Sequence, residues 1–267
     1  MRRINAAQKV YYEVADGGRT NEANGLATNL YRAFRARAFA GIPFAQYRAR
    51  ERALHKRWIG DPSGMKVLDL GCGSGNPLSI WLARRSADYT AIDLSESKIR
   101  ALRKKLPKKR QVRAIAGDFL DTGFDDEGFD LVYALAVFHH FRHLDDFLHY
   151  LHAKMKPGGI IVTKDPLQTW LPARMLRTIY RPFQTDRDWE YPFTRASLNA
   201  ISRHFETVES QGMMRSSKWA MLAGLASPSF GARMGERAIE REFQRDRSLD
   251  RLGGCLQVSM KLRARQP

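Results

Sequence analysis

A doubly wound α/β sheet is the fold class this sequence predicts, on three observations. Short apolar, β-branched segments alternate with helical ones through the middle of the chain, and a glycine cluster follows the first of those segments. The chain has 267 residues with 43% hydrophobic and 27% charged side chains, enough for one large domain with additions and too ordered a composition for a disordered or fibrous protein.

Each element follows from its own stretch. Residues 65–70 (MKVLDL) are an apolar run ending in glycines, and residues 79–85 beyond them read as helix. Residues 89–94 (YTAIDL) form the next strand. Ser95 then caps a helix over 95–106, with Ile99 and Leu102 on one face and Pro107 as its stop. Val112–Ala116 and Phe129–Leu135 supply two further strands. Residues 145–155 read as a helix with Phe147, Leu148 and Leu151 facing inward, and the turn Lys156-Pro157-Gly158-Gly159 launches a fifth strand at 160–164. Five strands alternating with helices imply right-handed crossovers. After Asp165 the rhythm changes: Arg195–His204 is a helix capped by Thr194, and residues 205–211 and 256–262 alternate as strands that pair antiparallel at the edge. Residues 1–60 read as an N-terminal helical cap or lid, with Leu30, Phe34 and Phe39 interleaved with Arg32, Arg35 and Arg37. Residues 61–267 form the core, with insertions at about 166–192 and 212–254.

The net charge is +17, and it is unevenly spread: Lys and Arg exceed Asp and Glu by 8 over residues 1–60, by 2 over 61–165 and by 7 over 166–267. A balanced middle with basic flanks describes a catalytic core whose additions suit phosphates, acidic lipid headgroups or an anionic substrate. Two cysteines, Cys72 and Cys255, are too few for a disulfide scaffold, a four-cysteine zinc site or a cysteine-held iron–sulfur cluster, and no metal is expected. No stretch approaches the roughly 18 apolar residues of a membrane span, and the N-terminus lacks a secretory apolar core, so the expected location is cytoplasmic.

The chemistry gathers where strands end. Asp69-Leu70-Gly71-Cys72-Gly73-Ser74-Gly75 follows a strand and opens a helix, so its glycines allow the close backbone approach that a nucleotide-like ligand needs. A nicotinamide loop would carry a third glycine where Asn76 stands, and a P-loop would end in Gly-Lys-Ser/Thr. Asp93, at the end of the second strand, is placed to accept from two ribose hydroxyls. Asp118, just past the third strand with Phe119 beside it, offers an acceptor for an exocyclic amine next to an aromatic face. Adenine, ribose and a charged amino-acid tail satisfy these acids and the glycine backbone without any phosphate.

At these residues the sequence resembles the class I S-adenosylmethionine-dependent methyltransferases of small-molecule type. The match runs in order through VLDLGCGSG (67–75), AIDLS (91–95), AGDF (116–119), FDLVYALAVFHH (129–140) and MKPGGIIVTKDP (155–166), strongly over residues 60 to 165 and weakly over the last strand pair. The resemblance implies a Rossmann-like seven-stranded sheet of order 3-2-1-4-5-7-6 with strand 7 antiparallel, and S-adenosylmethionine as cofactor. It assigns Asp69, Gly71 and Gly73 to the methionine moiety, Asp93 to the ribose, Leu94 to the face of the adenine, and Asp118 and Phe119 to the adenine amine and ring. Cys72, Gly117 and Leu135 complete the expected cofactor contacts.

A sulfonium already carries an activated methyl group, so the protein has to align the acceptor and, where required, remove a proton. His139 and His140, after the fourth strand, and Asp165, at the end of the fifth, are the candidate catalytic residues. The aromatic and basic insertion is expected to roof the acceptor, with Trp170, Arg174 and Trp189 as substrate contacts and Tyr11 closing from the N-terminal side. The expected acceptor is a small or lipid-like molecule methylated at oxygen or nitrogen. RNA or DNA methylation is the alternative, motivated by the basic flanks and the run at 104–113 (KKLPKKRQVR). Against it, Ala134-Leu135-Ala136-Val137 stands where enzymes that methylate base amines carry an Asn/Asp-Pro-Pro-aromatic turn. Trp219–Ala226, flanked by Arg215, Lys218, Arg233 and Arg237, has the composition of an interfacial helix, which would hold the protein peripherally at the inner face of a membrane.

Overall fold

The computed structural model describes residues 9–10, 26–40, 42–121, 124–183, 188–244 and 252–266. Its strands are β1 (Lys66–Leu70), β2 (Asp88–Asp93), β3 (Val112–Ala116), β4 (Phe129–Leu135), β5 (Met155–Pro166), β6 (Phe205–Met213) and β7 (Gln257–Ala264). They form one sheet in the order β3-β2-β1-β4-β5-β7-β6. β1 to β5 pair in parallel, and β7 runs antiparallel to both β5 and β6. The order and the reversed seventh strand are those expected, with β6 rather than β7 at the edge.

The described helices are α1 (Leu26–Phe39), α2 (Phe44–Ile59), α3 (Pro77–Arg85), α4 (Glu96–Arg103), α5 (Leu144–Ala153), α6 (Leu171–Tyr180), α7 (Arg195–His204), α8 (Trp219–Ala226) and α9 (Pro228–Gln244). Single 3₁₀ turns occupy Phe138–His140 and Arg181–Phe183. Strands buried on both faces read as continuous apolar runs, and β1 shows why. Val67 packs with Leu54, Trp58, Leu82, Ile99 and Tyr133 on one side, while Leu68 and Leu70 pack with Phe147, Leu151, Ile201 and Met260 on the other.

Local chemistry sets the boundaries. The Asn76 side chain accepts from the N–H groups of Leu78 (2.8 Å) and Ser79 (3.1 Å), so α3 begins at Pro77, two residues earlier than its apolar pattern suggests. Ser95 caps α4, and Thr194 and Ser197 cap α7 reciprocally. The Pro157-Gly158-Gly159 segment differs from the expected turn. β5 already pairs at Met155 with Phe129, and the register then jumps so that Leu131 faces Ile160. The residues between form a bulge inside the strand, where a Cβ on Gly159 would lie 2.9 Å from the Phe129 carbonyl oxygen.

α2 is built into the sheet packing: Leu54, Trp58 and Ile59 are buried, Lys164 of β5 pairs with Glu51 at 2.9 Å, and His55 Nε2 lies 2.9 Å from Ser259 Oγ of β7. The link from β6 to α8 is held by Glu242 of α9. Its carboxylate accepts from the N–H groups of Met214 (3.1 Å), Ser216 (2.6 Å) and Ser217 (2.7 Å) and from both serine hydroxyls.

Candidate active site

The carboxyl ends of β1, β2 and β4 meet in a cleft of about 210 Å³. Its wall includes Gly71, Gly73, Asp93, Leu94, Gly117, Asp118, Phe119, Val137 and His140. Gly71 sits at φ 62°, and a Cβ there would come within 2.4 Å of the Val137 side chain, so only glycine lets the chain pass between β1 and the loop after β4. Asp93 Oδ2 accepts from the Gly73 N–H at 2.8 Å and Oδ1 from the Ser95 N–H at 3.0 Å. The carboxylate thereby ties the glycine loop to the turn after β2, and each oxygen keeps a second lone pair for a ribose hydroxyl. Asp118 Oδ1 accepts from the Leu120 N–H at 2.9 Å, which aims the group across the cleft mouth beside Phe119. Two carboxylates against one lysine, Lys98, line this space, a balance that suits an adenosine with a cationic tail better than a phosphate.

Three expected cofactor residues do not line the cleft. Asp69 lies beneath the loop, 2% exposed, where the Tyr89 phenol donates to its Oδ2 at 2.6 Å, and burial pushes its carboxyl up to about 6. Cys72 packs into the core beside Val67 and Leu78, and burial raises its thiol far above the ordinary range, so it is no nucleophile. Leu135 packs on the same core cluster. Ala136, which the sequence did not single out, does line the cleft, held at φ 58° by its N–H bond to the Lys164 carbonyl at 2.7 Å.

His139, His140 and Asp165 come together at the ends of β4 and β5. Asp165, 1% exposed, accepts through Oδ1 from the His139 N–H (3.1 Å) and lies 2.8 Å from its Nδ1, while Oδ2 accepts from the Thr163 hydroxyl at 2.6 Å. Glu190, absent from the expected set, lies 3.3 Å from His139 Nε2. Burial disfavours the His139 cation, but hydrogen bonds to these two carboxylates override it and carry the imidazole up to about 9. His140 stands beside it, ring centroids 4.1 Å apart, with Nδ1 2.9 Å from the Trp189 carbonyl. Burial, and then the neighbouring His139 cation, hold His140 below its ordinary value. A carbonyl can only accept, so Nδ1 carries the proton and Nε2 the lone pair. The donors of His139, His140 and Glu190 lie within 4.8 Å of one another. The spacing is that of a metal-ligand set, and His139 and Glu190 are at the same time joined with Asp165 in a hydrogen-bonded network.

A larger cavity of about 760 Å³ adjoins the cleft at Phe141, which lines both. Its floor includes Phe138 and Leu144, and Arg142, Arg174, Arg177 and Arg181 surround it with Tyr191. Arg174 is thus placed as expected. Trp170 instead braces α6 against α8, its ring 6.1 Å from that of Trp219, and Trp189 contributes its backbone carbonyl to His140; neither lines the cavity. Tyr11 lies outside the described residues. The basic run at 104–113 braces the fold: Lys105 donates to the Ser74 carbonyl at 2.7 Å, Lys109 to that of Arg84 at 3.2 Å, and Arg113 pairs with Asp126 at 2.6 Å.

Comparison with known proteins agrees with this geometry. A family described as a methyltransferase domain matches residues 68–163. A sterol 24-C-methyltransferase of Gibberella zeae is 31% identical over 159 residues, which cover 56% of this chain and 42% of that one. A phthiotriol/phenolphthiotriol dimycocerosates methyltransferase of Mycobacterium ulcerans is 28% identical over 189 residues, 68% of this chain and 63% of that one. The chain therefore spans less than half the length of the sterol enzyme. Among solved structures, an S-adenosylmethionine-dependent methyltransferase from Mesorhizobium loti superimposes with a TM-score of 0.53 at 18% identity, over 78% of this chain and 94% of that one, and so shares the fold. The glycine loop and the family match fall together on residues 68–163, which are similar to a methyltransferase domain and stand in a seven-stranded sheet of the order β3-β2-β1-β4-β5-β7-β6.

Proposed function

We propose that the chain methylates a lipid-like acceptor seated in the 760 Å³ cavity, with His140 as the group that takes the acceptor's proton. The observation that carries this reading is the junction: His140 lines the cofactor cleft, and Phe141 beside it lines both spaces. S-adenosylmethionine, when bound, supplies a methyl group activated on a sulfonium. Asp93 would accept from its ribose hydroxyls, Asp118 from its adenine amine, and Leu94 and Phe119 would cover the ring. His140 Nε2 would take the proton of an acceptor hydroxyl while that oxygen takes the methyl group, whose bond to the sulfonium breaks and leaves a neutral thioether. His139 keeps its own proton between Asp165 and Glu190 and fixes the loop from which His140 projects.

The relatives named for a sterol and for phthiotriol dimycocerosates support a lipid-like acceptor. Phe138, Phe141 and Leu144 offer an apolar floor to such a molecule, and the arginines favour an anionic or phosphorylated end. α1 packs against the Arg181–Phe183 turn at the cavity rim, which suits α1 to the part of a lid, whereas α2 belongs to the core. The test is transfer of labelled methyl from S-adenosylmethionine into fractionated cell extract. Label in the lipid fraction is the expected result; label in nucleic acid would refute the acceptor class, and no transfer to any fraction would refute the activity.

A further inference from the structure

Helix α6 is inside out. Leu171, Met175 and Ile179 recur every four residues as one stripe, with Leu176 at its flank, and they are 63%, 63%, 70% and 59% exposed in that order. Arg174 and Arg177 lie off that stripe and, with Thr178, line the acceptor cavity. A helix of a water-exposed domain turns its apolar stripe toward the core. Here Arg177, 15% exposed and 3.8 Å from Glu190, is the side chain turned to the protein, while the apolar stripe meets the surroundings.

The stripe continues onto two neighbours. Trp170, which precedes α6, meets Trp219 of α8 edge to face, with Lys218 Nζ 3.7 Å above the Trp170 ring. α1 packs on α8, where Arg37 donates to the Leu225 carbonyl at 3.4 Å, and on the turn after α6. These two helices leave Leu30, Phe34, Trp219 and Leu222 between 49% and 62% exposed. Eight of the ten large exposed hydrophobic side chains among the described residues therefore stand on α1, α6 and α8. The same three helices contain five arginines and not one Asp or Glu. Contiguous apolar surface with an exclusively cationic complement fits a surface that is apolar within and anionic outside.

We propose that the α1–α6–α8 face docks on an anionic lipid bilayer. Its apolar side chains enter the boundary between headgroups and acyl chains, the exposed Arg32 and Arg174 meet the phosphates, and the cavity beneath α6 opens beside the lipid. The composition of Trp219–Ala226 alone pointed to a membrane; the structure moves the centre of the surface to α6, which lies over the acceptor cavity. Only the link to that cavity rests on the proposed function.

The test is sedimentation of the full chain with vesicles of phosphatidylcholine containing about one-third phosphatidylglycerol, at low salt and at about 0.5 M salt. The expected result is binding at low salt that weakens at high salt and on vesicles of phosphatidylcholine alone. The double variant Met175→Asp/Ile179→Asp should bind at least about 10-fold more weakly, with unchanged melting temperature and cofactor affinity, since both side chains stand outside cleft and cavity. Failure of the unmodified protein to sediment overturns the proposal. Equal binding to neutral vesicles, or a lipid-free dimer that the double variant dissociates, overturns it too. Methyl transfer to a detergent-solubilised lipid acceptor, measured in parallel, separates the two readings: transfer without vesicle binding sinks only the docking surface, and vesicle binding without transfer sinks only the activity.

Discussion

His139 and His140 are adjacent in the chain and opposite in protonation, because carboxylates flank one and a cation flanks the other. His139 lies between Asp165 and Glu190 and is charged at neutral pH; His140 lies beside that charge in a buried setting and is neutral. His140→Gln should lower kcat by about 10²–10⁴-fold while cofactor affinity by calorimetry stays the same; an unchanged kcat would leave His140 as pocket wall. The unmodified enzyme should lose turnover as pH falls through the depressed value of His140, below 6.5, because only the neutral ring accepts a proton. Asp165→Asn should move that acid limb to higher pH: His139 gives up its proton more easily, its repulsion of the His140 cation fades, and His140 titrates nearer its ordinary value. A limb that does not move would show that the two rings are not coupled. In the cofactor cleft, Asp93→Ala should weaken S-adenosylmethionine binding by at least about 10-fold, since hydrogen bonds to a charged group contribute about 1.5–3 kcal/mol. Unchanged affinity would remove Asp93 from the ribose.

At the scale of elements, short-range chemistry was legible and long-range pairing was not. Ser95 and Thr194 announced their helices, and Val112–Ala116, Phe129–Leu135, Arg195–His204 and Trp219–Ala226 have the bounds their patterns predicted. The three acids and the glycines were visible because the fold places strand ends together, but their orientation was not. Asp69 and Cys72 are buried, Asp69 near the end of β1 and Cys72 in the loop beyond it, which packing decides and the order of residues does not show. Glu190 was invisible because it reaches His139 across 51 residues from within an insertion that carries other acids. The period of α6 could be read, but period only tells which side chains share a face, never whether that face meets a core. Glu242 is another case of long reach, holding the β6–α8 link through both carboxylate oxygens while Met214 sits at φ 56°. Glu242→Gln must turn an NH₂ toward backbone N–H groups that all donate. It should lower stability by about 3 kcal/mol, seen as a lower urea midpoint at unchanged slope. A midpoint shift near zero would mean that the link is held by something else.

For the whole molecule, three buried groups bend the pH dependence of stability in different directions. His55 is pushed down to about 3, chiefly by burial, from an ordinary 6.5; His139 is raised to about 9 by its carboxylates; Asp69 is raised to about 6 from 3.8 by burial. Between about pH 4 and 6 the unfolded chain binds a proton at His55 that the native state refuses, while the native state binds one at Asp69 that the unfolded chain releases. Those two slopes oppose each other. Above 6.5 only His139 remains. The native state keeps its proton up to about 9 while the unfolded chain has lost it, so this contribution is complete below 6.5 and disappears as pH rises toward 9. A difference of this size corresponds to about 3 kcal/mol at most. The urea midpoint should therefore fall from about pH 6.5 toward pH 9, as far as His139 governs it. His139→Gln, which has no proton to lose, should start from a lower midpoint and show a flat line across the same alkaline range. A slope that survives in the variant would assign the alkaline loss to other groups and remove the charged His139 between Asp165 and Glu190 as the brace that joins the end of β4 to the segment after α6.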